Sequence, residues 1–98
     1  MTAPGGVRLD KWLWQARFFK SRSLSAAQVE DGRVRVNGQP VSKSATTVRP
    51  GDVLTFAQGG RIRVVRVLAT ALRRGPAAEA QLLYDDLDAG DSAPQALA

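Results

Sequence analysis

Leu9, Trp12, Leu13, Ala16 and Phe19 recur at intervals of three and four residues, which places them on one face of a helix. This stripe predicts a first helix starting near residue 9. Trp14 and Phe18, four residues apart and flanked by Lys11 and Gln15, form a second apolar patch roughly opposite the first. A helix with two apolar sides is covered on the second side by its own chain, or it meets a partner there. The pattern leaves both possibilities open, with residues 77–84 as a candidate cover. Leu24, Ala27, Gln28 and Val29 carry a short second helix. The period then changes to two, with Val34 and Val36 on one side and Arg33 and Arg35 on the other, and so predicts a strand. Val41 lies on a return strand, and 53–56 form a third. Residues 61–69 form the longest strand, with Ile62, Val64 and Val67 apolar and Arg61, Arg63 and Arg66 basic. The adjacent Val64 and Val65 break its alternation, so a bulge or burial on both faces is expected. Residues 77–84 suit a short helix or an edge strand. We read them as a turn followed by a strand at 81–84.

The residues between these runs are of the kinds that end and join elements. Asp10 can cap the first helix, and Ser21 or Ser23 the second. Gly32 supplies a helix stop. Asn37-Gly38 signals a type I′ hairpin and Pro50-Gly51 the middle of a type II turn, while residues 58–60 turn the third strand into the fourth. The expected fold class is α+β: two N-terminal helices packed on a small, mostly antiparallel sheet of four or five strands. The 98 residues suffice for one core, so one domain is expected over residues 8–84. Small residues with Pro and Gly at 1–7, and acids with Ala, Gly and Pro at 85–98, predict disordered ends.

Composition narrows the chemistry. The chain has no cysteine and no histidine, which removes disulfides, thiol nucleophiles and most zinc sites. It has no apolar run long enough to span a bilayer and no basic-then-apolar leader at its start. A cytoplasmic, membrane-independent protein is the expectation. The acids of residues 8–84 sit at expected caps and turns, and Asp85, Asp86 and Asp88 lie in the expected tail, so no catalytic constellation is apparent. No cofactor or metal is expected.

Charge is distributed unevenly. Residues 1–75 hold all 14 Lys and Arg and four acids (Asp10, Glu30, Asp31, Asp52), a net +10, whereas 76–98 hold five acids and no base, a net −5. A body this basic suggests a polyanionic partner, and the dominance of Arg over Lys suits phosphate. From Lys11 to Val29 there is no acid at all. The candidate binding residues are Arg8, Lys11, Arg17, Lys20, Ser21, Arg22, Arg33, Arg35 and Lys43. The start of the second helix adds open N–H groups and the positive dipole end, with Ser21 and Arg22 as side-chain donors.

Arg8-Leu9-Asp10-Lys11, Lys20-Ser21-Arg22, Ala27, Gly32, Val34, Val36-Asn37-Gly38, Val41 and Val48-Arg49-Pro50-Gly51-Asp52 together resemble the S4 RNA-binding domain, with a core motif over residues 8–56. Lys11-Trp12-Leu13-Trp14, Ala16-Arg17-Phe18 and the downstream Arg73-Arg74, Pro76-Ala77, Glu79-Ala80 and Leu82-Leu83-Tyr84 extend the likeness to about residue 86. They narrow it to a bacterial heat-shock, ribosome-associated branch of that family. The resemblance implies a non-enzymatic monomer that binds structured RNA, ribosomal RNA of the large subunit foremost, with tRNA or a nascent-chain complex as further partners. It implies a role in recycling free large subunits under heat stress, and it assigns RNA binding to the nine residues above. Two features depart from the family. Residues 76–98 are acidic where relatives often carry a basic extension, and Gln28 stands where the S4 pattern usually has an apolar residue. Two other readings remain: an S4 module acting on other RNA, and a protein-interaction adaptor using the Trp14/Phe18 face.

Overall fold

The computed structural model describes residues 6–58, 60–71 and 74–87. The expectations for residues 1–5 and 88–98 lie outside the described residues. The chain runs β1 (Val7–Arg8), α1 (Leu9–Gln15), α2 (Arg22–Glu30), β2 (Val34–Val36), β3 (Gln39–Val41), β4 (Thr47–Val48), β5 (Val53–Gln58), β6 (Arg61–Val67), α3 (Ala77–Ala80), a 3-10 turn (Gln81–Leu83) and β7 (Tyr84–Asp86). Five strands form an antiparallel sheet in the order β3-β2-β5-β6-β7, and β1 pairs with β4 in a separate two-stranded ribbon. The fold is the α+β arrangement that the pattern predicts.

The helix stripe and the inner face of the sheet make the core. Leu9, Trp12, Leu13 and Val29 are fully buried with Val34, Leu54, Val65 and Val67, and Phe56 is nearly so. β5 and β6 stay in unbroken register from Val53↔Arg66 to Gln58↔Arg61. The adjacent valines therefore reflect burial on both faces: Val65 points into the core and Val64 is half-buried on the outer face.

Both helices end in the same way, with different residues. In α2, Gly32 takes φ +75, its N–H donates to Val29 O at 2.9 Å, and the Arg33 N–H donates to Gln28 O at 3.1 Å. This paired bonding is the Schellman stop, which favours glycine because it needs a left-handed residue. In α1 that residue is Arg17, at φ 66, with Arg17 N–H to Trp14 O at 3.0 Å and Phe18 N–H to Leu13 O at 3.1 Å. The first helix therefore closes at Gln15, short of Phe19. The stop also swings Phe18 inward, so it does not share an outer patch with Trp14. Phe18 is buried among Trp12, Phe56 and Tyr84, with ring centroids 6.0, 5.0 and 4.6 Å away.

The segment after β6 straps α1 down. Trp12 Nε1 donates to Ala69 O at 3.0 Å, and Gln15 Nε2 donates to Ala71 O at 3.1 Å. Half-buried Trp14 is covered by the Arg74 guanidinium, 5.5 Å from its ring. Arg74 Nε also donates to Trp14 O at 2.9 Å. The expected strand at 81–84 starts three residues later. Pro76, with φ fixed near −66, opens a helical turn that continues to Leu83; Leu83 is buried and Leu82 is 72% exposed. β7 then pairs with β6 through Val67↔Tyr84, Arg66↔Asp85 and Val65↔Asp86. Asp85 and Asp86, expected in the tail, thus belong to the sheet, as Val7 belongs to β1.

Candidate nucleic-acid interface

The most closely bonded charged group in the expected RNA-binding region is an acid. Asp10 is 3% exposed. Its Oδ1 accepts from the Lys11 N–H at 2.7 Å and from Arg8 Nε at 3.2 Å, and its Oδ2 accepts from Arg8 Nη2 at 3.2 Å. Arg22 Nε lies 3.6 Å from Oδ2, across the helix pair. The Asp10 carbonyl accepts from Ser25 Oγ at 2.7 Å. The first turns of α1 and α2 are therefore joined through one residue.

The sequence permits this because Asp10 is the sole acid among the cations from Arg8 to Arg22, and because small Ser25 fits the closed helix crossing, fully buried. A carboxylate this sheltered is tolerable only when its oxygens are bonded and its charge is opposed. Two arginines and a backbone amide meet that need. Arg8 and Arg22 keep 49% and 43% of their side-chain surface exposed. Arg8 is gripped along one edge of its fork, and Arg22 approaches Oδ2 through Nε alone. Among the described residues, Arg8 Nη1 and both terminal nitrogens of Arg22 meet no protein acceptor. A guanidinium fixed at its inner edge and open at its outer edge is oriented for phosphate.

The same corner collects further donors. Ser21 caps α2, its Oγ accepting from the Leu24 N–H at 3.1 Å, as expected of one of the two candidate serines. That leaves the Arg22 and Ser23 N–H groups open at the helix start. Lys20 is exposed directly before the cap and Lys11 directly follows Asp10. The loop carrying Lys43 folds over the start of α1, with Asp10 N–H to Ser44 O at 3.2 Å and Leu9 N–H to Thr46 O at 2.7 Å. Arg8, Lys11, Lys20, Ser21, Arg22 and Lys43 thus come together around two helix starts.

The other three candidates are bonded elsewhere. Arg17 Nε donates to Gly75 O at 2.8 Å, on the strap side of α1. Arg33 pairs with exposed Asp31 at 3.4 Å. Arg35 lies on the outer face of β2, opposite Pro40 and Thr55, with Nη1 3.5 Å from Gly38 O. The sequence suggests Asp10 as a helix cap, and the structure makes it the residue that Arg8 and Arg22 share. The available signal was its position as a lone acid between cations.

Among the described residues no cluster of three or more His, Cys, Asp or Glu could hold a metal, and no helix is long and apolar enough to cross a membrane. The sequence pattern of the S4 domain matches residues 7–54. The trimeric heat shock protein 15 of Vibrio cholerae superposes with a TM-score of 0.78 at 43% identity, over 83% of this chain and 81% of that one. The chain belongs to the S4 domain family. Its S4 core spans α1 to the start of β5, so it contains the whole Asp10 corner. Heat shock protein 15 of Escherichia coli is 49% identical over 80 residues, which are 82% of this chain and 59% of the relative. The homologue from Aeromonas salmonicida is 49% identical over 85% of this chain and 62% of its own length. The chain thus spans about six-tenths of these curated relatives. A Bacillus subtilis protein named RQC P-site tRNA stabilizing factor is 38% identical over 62% of this chain and 70% of its own length. This S4 domain is an RNA-binding module.

Proposed function

We propose that this S4 domain holds the backbone phosphates of structured ribosomal RNA on the corner built around Asp10, and acts on free large ribosomal subunits carrying a nascent chain under heat stress. The observation that carries the reading is the shared carboxylate: buried Asp10 holds Arg8 by two hydrogen bonds, draws Arg22 to 3.6 Å, and leaves the outer nitrogens of both open. Such a surface reads shape and backbone more than base identity, as is usual for folded RNA. The names of the relatives support the ribosomal setting, through the heat shock proteins and the tRNA stabilizing factor. The protein acts in the cytoplasm, as a monomer, by binding and without catalysis. The adaptor reading loses support, because Phe18 lies in the core and Trp14 lies beneath Arg74.

A salt series tests the electrostatic part. About five phosphate contacts give a log–log slope of affinity on salt of roughly −4. An affinity for a ribosomal RNA hairpin that does not change with salt overturns the reading. Sedimentation of heat-stressed cell extract tests the ribosomal part. The protein is expected with free large subunits, and its absence from them limits the proposal to RNA binding.

A further inference from the structure

We infer that a cleft at the far end of α1 receives one unstacked nucleotide of the bound RNA. This rests on the RNA-binding reading above and deepens it. The cleft has a volume of about 210 Å³, and its chemically distinctive walls are Arg17, Phe18, Gln58, Arg63, Gln81 and Tyr84.

The floor is aromatic and fixed. The Phe18 and Tyr84 rings lie 4.6 Å apart, and the Arg63 guanidinium lies 5.3 Å above the Phe18 ring. Arg63 is held in place by Gln58 Oε1 and Asp86 Oδ2, both at 2.8 Å, and Gln58 Nε2 donates to Phe18 O at 2.6 Å. Phe18 is buried behind this layer, so the half-buried Tyr84 ring is the face left for an unpaired base to stack on.

Two polar groups in the cleft are not engaged. Among the described residues, the Tyr84 hydroxyl and the Gln81 side-chain amide have no hydrogen-bond partner. A phenol and an amide together offer donors and acceptors to the edge of a base. Asp86 offsets the charge of Arg63, which leaves Arg17 as the cation for a phosphate. Its Nε is anchored on Gly75 O at 2.8 Å, and among the described residues its terminal nitrogens meet no acceptor.

Arg17 occupies the left-handed position that glycine takes in α2, a conformation that costs a residue with a Cβ. A glycine would end α1 without that cost but would leave Arg63, whose charge Asp86 offsets, as the cation of the cleft. A short stretch of chain links the cleft to the basic corner. Arg17 and Ser21 are four residues apart, so their Cα atoms lie within about 14 Å. One RNA strand can therefore bind the corner and place a neighbouring nucleotide in the cleft.

The test uses the full chain and two RNA hairpins, one fully paired and one carrying a single unpaired 4-thiouridine. The unpaired nucleotide is expected to raise affinity about tenfold, in the range of base stacking on aromatic side chains. Gln81→Ala and Tyr84→Phe, both checked for native circular dichroism, are expected to reduce that advantage and leave binding of the paired hairpin unchanged. Photocrosslinking of the wild-type chain, which needs no variant, is expected to attach the thiouridine at Tyr84 or Gln81. If the paired hairpin binds with steep salt dependence, but the unpaired base adds nothing and crosslinks elsewhere, the cleft inference is overturned and the corner stands. If neither hairpin binds, both readings are overturned. Equal occupation of the cleft by an apolar peptide in competition assays also overturns it.

Discussion

Two pairs of arginines in this domain use the same side chain in opposite ways. Arg8 is gripped at one edge by buried Asp10, Arg22 lies 3.6 Å from the same carboxylate through Nε, and both present their other nitrogens to solvent. Arg63 and Arg74 lie over aromatic rings: Arg63 covers Phe18 and bonds Asp86 and Gln58, while Arg74 covers Trp14 and bonds the Trp14 and Phe19 carbonyls. Only 15% of the Arg63 side chain is exposed. A count of cations treats all four alike. The partners of their donors separate a binding surface from a packing device: the first pair is held by an acid and left partly open, and the second closes over the core.

The comparison is broken most directly at Arg63. Arg63→Ala removes a sheltered ion pair and a ring contact, and is expected to lower stability by about 2 kcal/mol in urea unfolding. Binding of fully paired RNA should change less than about twofold. Loss of that binding without loss of stability would place Arg63 in the wrong class. Arg22→Ala should do the reverse. A lost charge-assisted phosphate contact weakens RNA binding about tenfold and flattens the salt slope by about one. Its stability should fall by less than about 1 kcal/mol, since Arg8 still opposes Asp10. Arg74→Ala is the smallest effect, about 1 kcal/mol of stability, with tryptophan emission shifted to the red as Trp14 loses its cover. An unshifted spectrum would mean that something else covers that ring.

The sequence made some of this arrangement readable because some positions carry their own local chemistry. Asn37-Gly38 adopts φ 53 and 84, Gly51 adopts φ 101, and Gly32 and Ser21 end and begin α2. Each needs only its immediate neighbours, so the hairpin, the turn and the caps fall where the residues put them. The apolar stripe of α1 is equally local. The failures are non-local or against preference. Arg17 in a left-handed stop shortens α1 and turns Phe18 inward, and no propensity places an arginine there. Arg74 covers Trp14 from sixty residues away, with a charge where an apolar cover was expected. The strand β7 is charged at two of its three residues, while the apolar run before it forms helical turns, so hydropathy pointed three residues too early. At the candidate site, the cations at the two helix starts were legible from charge and capping. The carboxylate that orients them was not, because its role depends on Arg22 crossing from another helix.

Asp10→Asn tests the clamp most directly. The substitution makes the protein one unit more positive and leaves every cation in place. If the surface works by net charge, RNA binding tightens. If Asp10 works by fixing Arg8 and Arg22, the neutral amide holds both forks more weakly and binding loosens. We predict several-fold weaker binding of a fully paired RNA hairpin at constant salt, with native circular dichroism retained. Equal or tighter binding by the folded variant would contradict the account.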